Sequence, residues 1–302
     1  MKHKAKILLF GEYLVLHDSD ALLIPLSTFS GELAFIDSIQ KGINGNSYSN
    51  NIIANLYNYI IKEYRPESIT DWLDLTNLKH DIDAGLYFKS TIPVGYGVGS
   101  SGALTAALFG KYTKHSHEYW KNNLLALKNN LSMLESYFHG KSSGLDPLSS
   151  YLDRGIFLQK GKIIPDDSNY TVYNPFLIDT KKSRQTEELV KLFHEKCLNT
   201  EYLNIIQTKL IKTNNQCIHS FQEENLDSFF KELKNLSALQ LEYFREMILP
   251  EYEPLWKQGL ESGEFYLKLC GAGGGGYLLG FATNRQAIQK LKKEYRFEIT
   301  EL

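Results

Sequence analysis

Cysteine is scarce in this chain. Cys197, Cys217 and Cys270 are the only three in 302 residues, too few and too scattered for a disulfide framework or a zinc site. A surplus of charge is also missing: 33 Lys and Arg against 35 Asp and Glu leave a formal net charge of -2. No global positive field therefore attracts nucleic acid or an anionic membrane. Nowhere do about 18 apolar residues follow one another, the run a bilayer-crossing helix needs. The start, "MKHKAKILLFGEYLVL", sets Lys2, His3, Lys4 and Lys6 before an apolar run, as a signal peptide would. That run stops at Phe10, and no small-residue cleavage site follows. Repeats and low-complexity tracts are lacking too. These absences predict a reduced, cytoplasmic, soluble protein with no nucleic-acid or membrane partner.

What is present is ordinary for a globular protein, with 43% apolar and 23% charged residues. The length suits two domains or one large one. "KILLFGEYLVLH" reads as two short strands around Gly11, and "GELAFID" prolongs this β-rich start. "NIIANLYNYIIKEYR" spaces its apolar residues as a helix does, while the preceding "QKGINGNSYSNN" reads as a polar loop. "DAGLYFKS" alternates as a strand. "SSGALTAALFGKYT" predicts a helix capped by Ser100 or Ser101. "WKNNLLALKNNLSMLESYFHG" predicts one further helix, ending near Gly140.

The turn-rich "GKIIPDDSNYT" suggests a boundary near residue 165, dividing the chain into domains 1–165 and 166–302. The second half opens on a strand, "NPFLID", followed by helices at about 184–196, 201–218, 225–248 and 251–262. It closes with strand, glycine loop and strand in "FYLKLCGAGGGGYLLGFAT", a short helix from Arg285, and a last strand, "YRFEIT". Strands mixed with helices in both halves predict an α+β class.

Two stretches contain a literal G-x-G-x-x-G: Gly97, Gly99 and Gly102 in "PVGYGVGSSGALTAAL", and Gly271, Gly273 and Gly276 in "KLCGAGGGGYLLGF". A dinucleotide fold needs a strand running into the first glycine, a helix after the third and an acidic residue about 20 positions on. In the first loop, Pro93 to Tyr96 intervene before Gly97, and Glu118 ends no strand. The second loop leads into a strand. Neither ends in the Gly-Lys-Ser/Thr of a Walker loop. What remains is a glycine turn feeding a helix, whose first N–H groups and dipole suit an anion. The same glycines could serve only a tight turn and a helix start, and the loop alone does not decide between the two.

Three segments in order break that tie: Lys6-Ile-Leu-Leu-Phe10-Gly11-Glu12, then Pro93 to Ala103, then Lys268 to Gly276. Together they resemble the GHMP kinases, the family of galacto-, homoserine, mevalonate and phosphomevalonate kinases. "LESYFHGKSSGLDPLSSY" looks like the mevalonate kinase branch, with Glu135 and Asp146 11 residues apart, and "DTKKSRQT" resembles its T-K-x-x-R-x-T segment. The resemblance implies a two-domain GHMP kinase fold. Its N-terminal half would be α/β and ribosomal protein S5 domain 2-like, and its C-terminal half ferredoxin-like. It also implies ATP and Mg2+ as cofactors and a small-molecule acceptor such as mevalonate; a homodimer is the candidate assembly.

Residue by residue, the resemblance makes Gly97, Gly99, Ser100, Ser101, Gly102 and Ala103 the phosphate loop, with Gly271, Gly273 and Gly274 of the third motif beside it. Four glycines in a row, Gly273 to Gly276, read as a close backbone approach to a ligand, since glycine weakens a strand. Ser101 and Glu135 become the magnesium ligands, Asp146 the base and Lys6 the cation that keeps it ionised. Glu12, Tyr13 and Thr180 would line the acceptor. Each has a plainer alternative: Lys6 and Glu135 as solvated charges, Asp146 as a turn former before Pro147. His139 reads as a structural helix-end residue, and His115-x-His117 as a solvated pair. Mevalonate kinases usually carry histidine at the place of Tyr13, and "GEYLVL" with Ser-Ser-Gly also resembles phosphomevalonate kinases. Mevalonate is the expected acceptor on the longer segments. The alternatives are 5-phosphomevalonate, for which Lys141, Lys181, Lys182 and Arg184 could form a basic cluster, and a non-catalytic ligand sensor.

Overall fold

The computed structural model describes residues 1–36, 44–183 and 186–302. By contacts the chain falls into two compact units: Met1–Lys6, Pro25–Ile92 and Gly99–Arg154 in the first, Ile7–Ile24, Pro93–Val98 and Gly155–Leu302 in the second. Strands β1 (His3–Phe10) and β2 (Ala21–Phe35) contribute residues to both. The first sheet has the order β1-β2-β4-β5, with β3 (Leu86–Ser90) on β2. Within the first unit β2 and β3 run antiparallel, from Gly31 opposite Ser90 to Phe35 opposite Leu86.

Helices complete the first unit. Ser100–Tyr112 is buried along most of its length, which is why its apolar residues show no clean stripe. Phe109 on that helix meets Trp72, Trp120 and Tyr151 at centroid distances of 5.7, 5.2 and 5.3 Å. The predicted long helix before Gly140 is two, His117–Lys121 and Leu124–His139. Asn122 and Asn123 break it, the latter bonding back to the Tyr119 carbonyl at 2.8 Å, a side-chain alternative to the helix ladder. "QKGINGNSYSNN" is corrected in part: from Asn44 it belongs to the helix Asn44–Glu63, and its first four residues lie outside the described residues. Polar propensity is overridden there by tertiary bonding, since Asn50 donates to the carbonyls of Ile82 and Leu86 at 3.3 and 2.6 Å.

The second unit holds β4 (Gly155–Gln159) and β5 (Lys162–Asp166) as a hairpin, with β4 also pairing β2 from Ala21 opposite Leu158. Residue 165 falls within β5. Its second sheet has the order β7-β8-β6-β9, from Pro175–Asp179 (β6), Phe265–Leu269 (β7), Tyr277–Ala282 (β8) and Glu298–Glu301 (β9). All its pairings are antiparallel. Strand, helices, strand, strand, helix, strand in this order is the ferredoxin-like arrangement expected. A core of Phe176, Ile178, Phe193, Phe244, Trp256 and Leu267 fills it.

One strand expectation fails. After Gly11 the chain makes a 3-10 turn, Leu14–His17, and β2 starts only at Ala21. Gly11 at φ 113 and Tyr13 at φ 61 turn the backbone out of the extended region. A short apolar run such as "YLVL" marks burial, not strand, and Leu14 is indeed in the core.

Candidate active site

In the first unit, β1 carries Lys6 inward to leave its side chain 8% exposed, and its Nζ lies 2.8 Å from Asp146 Oδ2. Asp146 sits in the first turn of the helix Leu145–Leu152, after Gly144 in the left-handed region, where the helix dipole favours an anion. Its side chain keeps 32% of its surface exposed. The glycine loop packs against this pair. A Cβ on Gly102 would stand 3.0 Å from Asp146 Cβ, and one on Gly99 2.8 Å from Lys6 Cγ. Those two glycines therefore set how near the loop and the ion pair can come.

The expected serine cap is corrected. Gly99, at φ 77, is the N-cap of the helix Ser100–Tyr112, with no side-chain cap bond. The serines stand inside the helix instead, and Ser101 Oγ lies 3.3 Å from Glu135 Oε1 and 3.0 Å from His139 Nε2. Glu135, on the helix Leu124–His139, is only 3% exposed, and Ser142 Oγ donates to its Oε2. Burial, followed by the charge of Asp146, pushes the Glu135 carboxyl up to about 8, against the opposing pull of Ser142, Lys6 and Ser101.

These groups suit a divalent cation. A buried carboxyl beside a hydroxyl is a hard oxygen donor pair, and positive charge would offset the desolvation that now raises Glu135. Among the described residues no cluster of three or more His, Cys, Asp or Glu could hold a metal. Mg2+ needs no such cluster, since it binds through one or two carboxylates plus substrate phosphates.

In the second unit the residues expected to line the acceptor are engaged by the protein itself. Glu12 Oε1 lies 2.5 Å from Lys268 Nζ, with the two side chains 1% and 0% exposed, and Lys268 also donates to the Leu269 carbonyl at 2.8 Å. Leu14 N–H reaches the Glu12 carbonyl at 2.7 Å. With Tyr13 at φ 61 and ψ -38, this is a γ-turn of the rare, strained kind. Tyr13 packs against Phe193 and Phe244, and its hydroxyl donates to Ala272 O at 2.6 Å. Thr180 Oγ1 donates to Gly276 O at 2.7 Å. Tyr13 and Thr180 thus hold the backbone of the third glycine loop, while the Glu12 carboxylate is held by the Lys268 side chain.

That loop's glycines also answer to the protein's own packing. Gly273 to Gly276 all have positive φ. A Cβ would come within 2.2 Å of Met247 O at Gly273, 2.7 Å of Lys182 O at Gly275 and 2.7 Å of Tyr96 O at Gly276. Packing of the protein's own backbone already demands glycine there, whatever else the loop approaches. Gly97, also at positive φ, belongs to the second unit, whereas Gly99 to Ala103 belong to the first.

Structure thus brings Lys6, Ser101, Glu135 and Asp146 together in one unit, and Glu12, Tyr13, Thr180 and the 271–276 loop in the other. Sequence reasoning missed three contributors. His139 is more than a helix end, because it contacts Ser101; its place four residues after Glu135 was the available signal. Ser142 holds Glu135. Lys268 pairs with Glu12, and an isolated lysine inside an apolar strand run could have drawn attention to it.

Two family models match the chain, GHMP kinases N terminal domain over residues 51–154 and GHMP kinases C terminal over residues 217–299. Together they take in more than half of its length, so the chain belongs to the GHMP kinase family and has that family's two-domain fold. Among curated relatives, it is 26% identical over 306 residues to a mevalonate kinase of Pyrococcus furiosus, covering 93% of this chain and 88% of that protein. It is 27% identical over 207 residues to a mevalonate kinase of Thermococcus sibiricus, covering 66% of this chain and 60% of that protein. The fold matches L. major mevalonate kinase in complex with R-mevalonate, with a TM-score of 0.65 at 18% identity over 99% of this chain and 94% of that one. It also matches Streptococcus pneumoniae phosphomevalonate kinase in complex with phosphomevalonate and AMPPNP, with a TM-score of 0.63 at 16% identity over 100% and 99%. Among the described residues no helix is long and apolar enough to cross a membrane.

Proposed function

We propose that this kinase transfers the γ-phosphoryl group of ATP to the 5-hydroxyl of mevalonate, in cytoplasmic isoprenoid synthesis. The Lys6–Asp146 pair is the observation that carries the proposal. A carboxylate 2.8 Å from a buried ammonium yet partly open to solvent is fitted to accept a hydroxyl proton. In this reading Asp146 takes the proton, and Lys6 holds its carboxylate in place and steadies the attacking oxygen. In the first unit, Gly99 to Ala103 cradle phosphate through backbone N–H groups at a helix start. Ser101 and Glu135 would hold Mg2+, which would supply positive charge against that of the phosphates. Tyr13 and Thr180 would shape the acceptor side through the backbone they fix, and Glu12 through its pair with Lys268. Residues 1–165 would serve as the ATP-binding domain and 166–302 as its C-terminal partner.

Acceptor choice rests on the relatives' printed activity and on charge. A phosphorylated acceptor calls for spare cations; of the four residues that could form that cluster, Lys181 pairs with Asp179 and Glu298 and Lys182 with Glu251, while Lys141 is exposed. Arg184 lies outside the described residues. The test is ADP release with Mg-ATP and, separately, mevalonate, 5-phosphomevalonate, homoserine and galactose. Turnover on mevalonate is expected. Turnover on 5-phosphomevalonate alone would replace this reading with the phosphomevalonate kinase one, and ATP binding without turnover on any acceptor would favour a ligand sensor.

A further inference from the structure

Ser101 has one hydrogen to give and two neighbours that could take it. Its Oγ stands 3.3 Å from Glu135 Oε1 and 3.0 Å from His139 Nε2, and a hydroxyl carries one donor and two lone pairs. If the hydrogen points at Glu135, it occupies the space between the two oxygens, where a shared cation would have to lie. If it points at His139, both lone pairs are released toward Glu135. A cation repels a hydrogen and attracts lone pairs, so only the second arrangement lets Ser101 and Glu135 act together.

The carboxylate itself has little room to adapt. Ser142 Oγ donates to Glu135 Oε2 and accepts from Gly144 N–H at 2.9 Å, while Ser132 Oγ donates to the Ser142 carbonyl at 2.6 Å. Glu135 and His139 stand four residues apart on the last turns of one helix, hence on one face. That face therefore holds the carboxylate fixed and sets a ring nitrogen against the hydroxyl. We infer that His139 is a positioning residue: its Nε2 accepts the Ser101 hydrogen and so aims the Ser101 oxygen at the divalent cation shared with Glu135. The inference rests on the proposed reading of Ser101 and Glu135 as cation ligands. It requires the neutral ring tautomer with its hydrogen on Nδ1.

The test measures binding, not turnover. A non-hydrolysable ATP analogue is titrated by calorimetry into the wild type, His139→Ala and His139→Gln, once in EDTA and once in excess Mg2+. His139 lies exposed at a helix end, so its replacement should leave the fold intact, as thermal melts will show. In His139→Ala the Mg2+-dependent gain in affinity should fall about 10- to 100-fold, the usual scale for losing a group that orients a metal ligand. Affinity in EDTA should not move. His139→Gln, which returns an acceptor oxygen at similar reach, should recover most of the gain. A gain in His139→Ala within about twofold of wild type would overturn the inference, as would a His139→Gln as deficient as the alanine variant. If wild type itself shows no Mg2+-dependent gain, the cation reading of Ser101 and Glu135 falls, and this inference with it.

Discussion

Asp146 combines two properties that rarely meet: an ammonium at 2.8 Å and a partly exposed carboxylate. Asp146→Asn keeps the shape and removes the base. Its kcat should fall by at least about a hundredfold, the usual scale for a general base, with nucleotide affinity retained in a binding titration. A variant within a few-fold of wild type would make Asp146 a turn residue only. Glu135→Gln should raise the Mg2+ concentration at half-maximal rate, and a Mg2+ titration that does not shift would place the ion elsewhere. Tyr13→Phe removes only the donor to Ala272 O. It should cost about 1–3 kcal/mol in a denaturant melt, because the buried carbonyl loses its partner.

Two elements, the turn after β1 and the loop between β7 and β8, are joined by Glu12–Lys268 and by Tyr13–Ala272. Both are buried, so their strength depends on keeping each pair complete. Lys268→Met alone should destabilise by about 3–5 kcal/mol, since it removes the cation paired with a buried carboxylate, while Lys268→Met with Glu12→Leu should recover much of that loss. Chemical denaturation of the two variants checks this; equal losses would mean that packing, not charge, holds the turn. The same loop explains how far its sequence could be read. Four successive glycines announced unusual backbone, and that much was legible. What the backbone meets, Met247, Lys182 and Tyr96 rather than solvent, lies up to 180 residues away along the chain and leaves no local trace.

At the scale of the molecule, acid stability offers a further check. Asp81 accepts from Tyr112 Oη and from Lys111 Nζ, each at 2.7 Å. The hydrogen bond from Lys111 foremost, with Tyr112 and His80 adding, holds the Asp81 carboxyl down to about 2, against an ordinary value of 3.8. A carboxyl with a lowered folded value stabilises fully above its unfolded value and loses that stabilisation as pH falls through the folded one. Asp81 should therefore support the fold above about pH 4 and cease to do so near pH 2. Asp81→Asn should lower the melting temperature at pH 7 and flatten its fall between those values. An unchanged acid limb would show that solvent screening has removed the effect.

Sequence by itself determined the class, because three glycine-bearing motifs in fixed order and the helix and strand periods around them are local patterns. It also marked Lys6, Ser101, Glu135 and Asp146 as candidates. Tertiary structure alone decided that these four meet in one unit, that "YLVL" makes a turn rather than a strand, and that Glu12 is engaged by Lys268 while Tyr13 and Thr180 bond backbone carbonyls. The reason is physical. Periodicity reports which residues are buried, whereas a hydrogen bond or an ion pair depends on partners that only folding brings within about 3 Å.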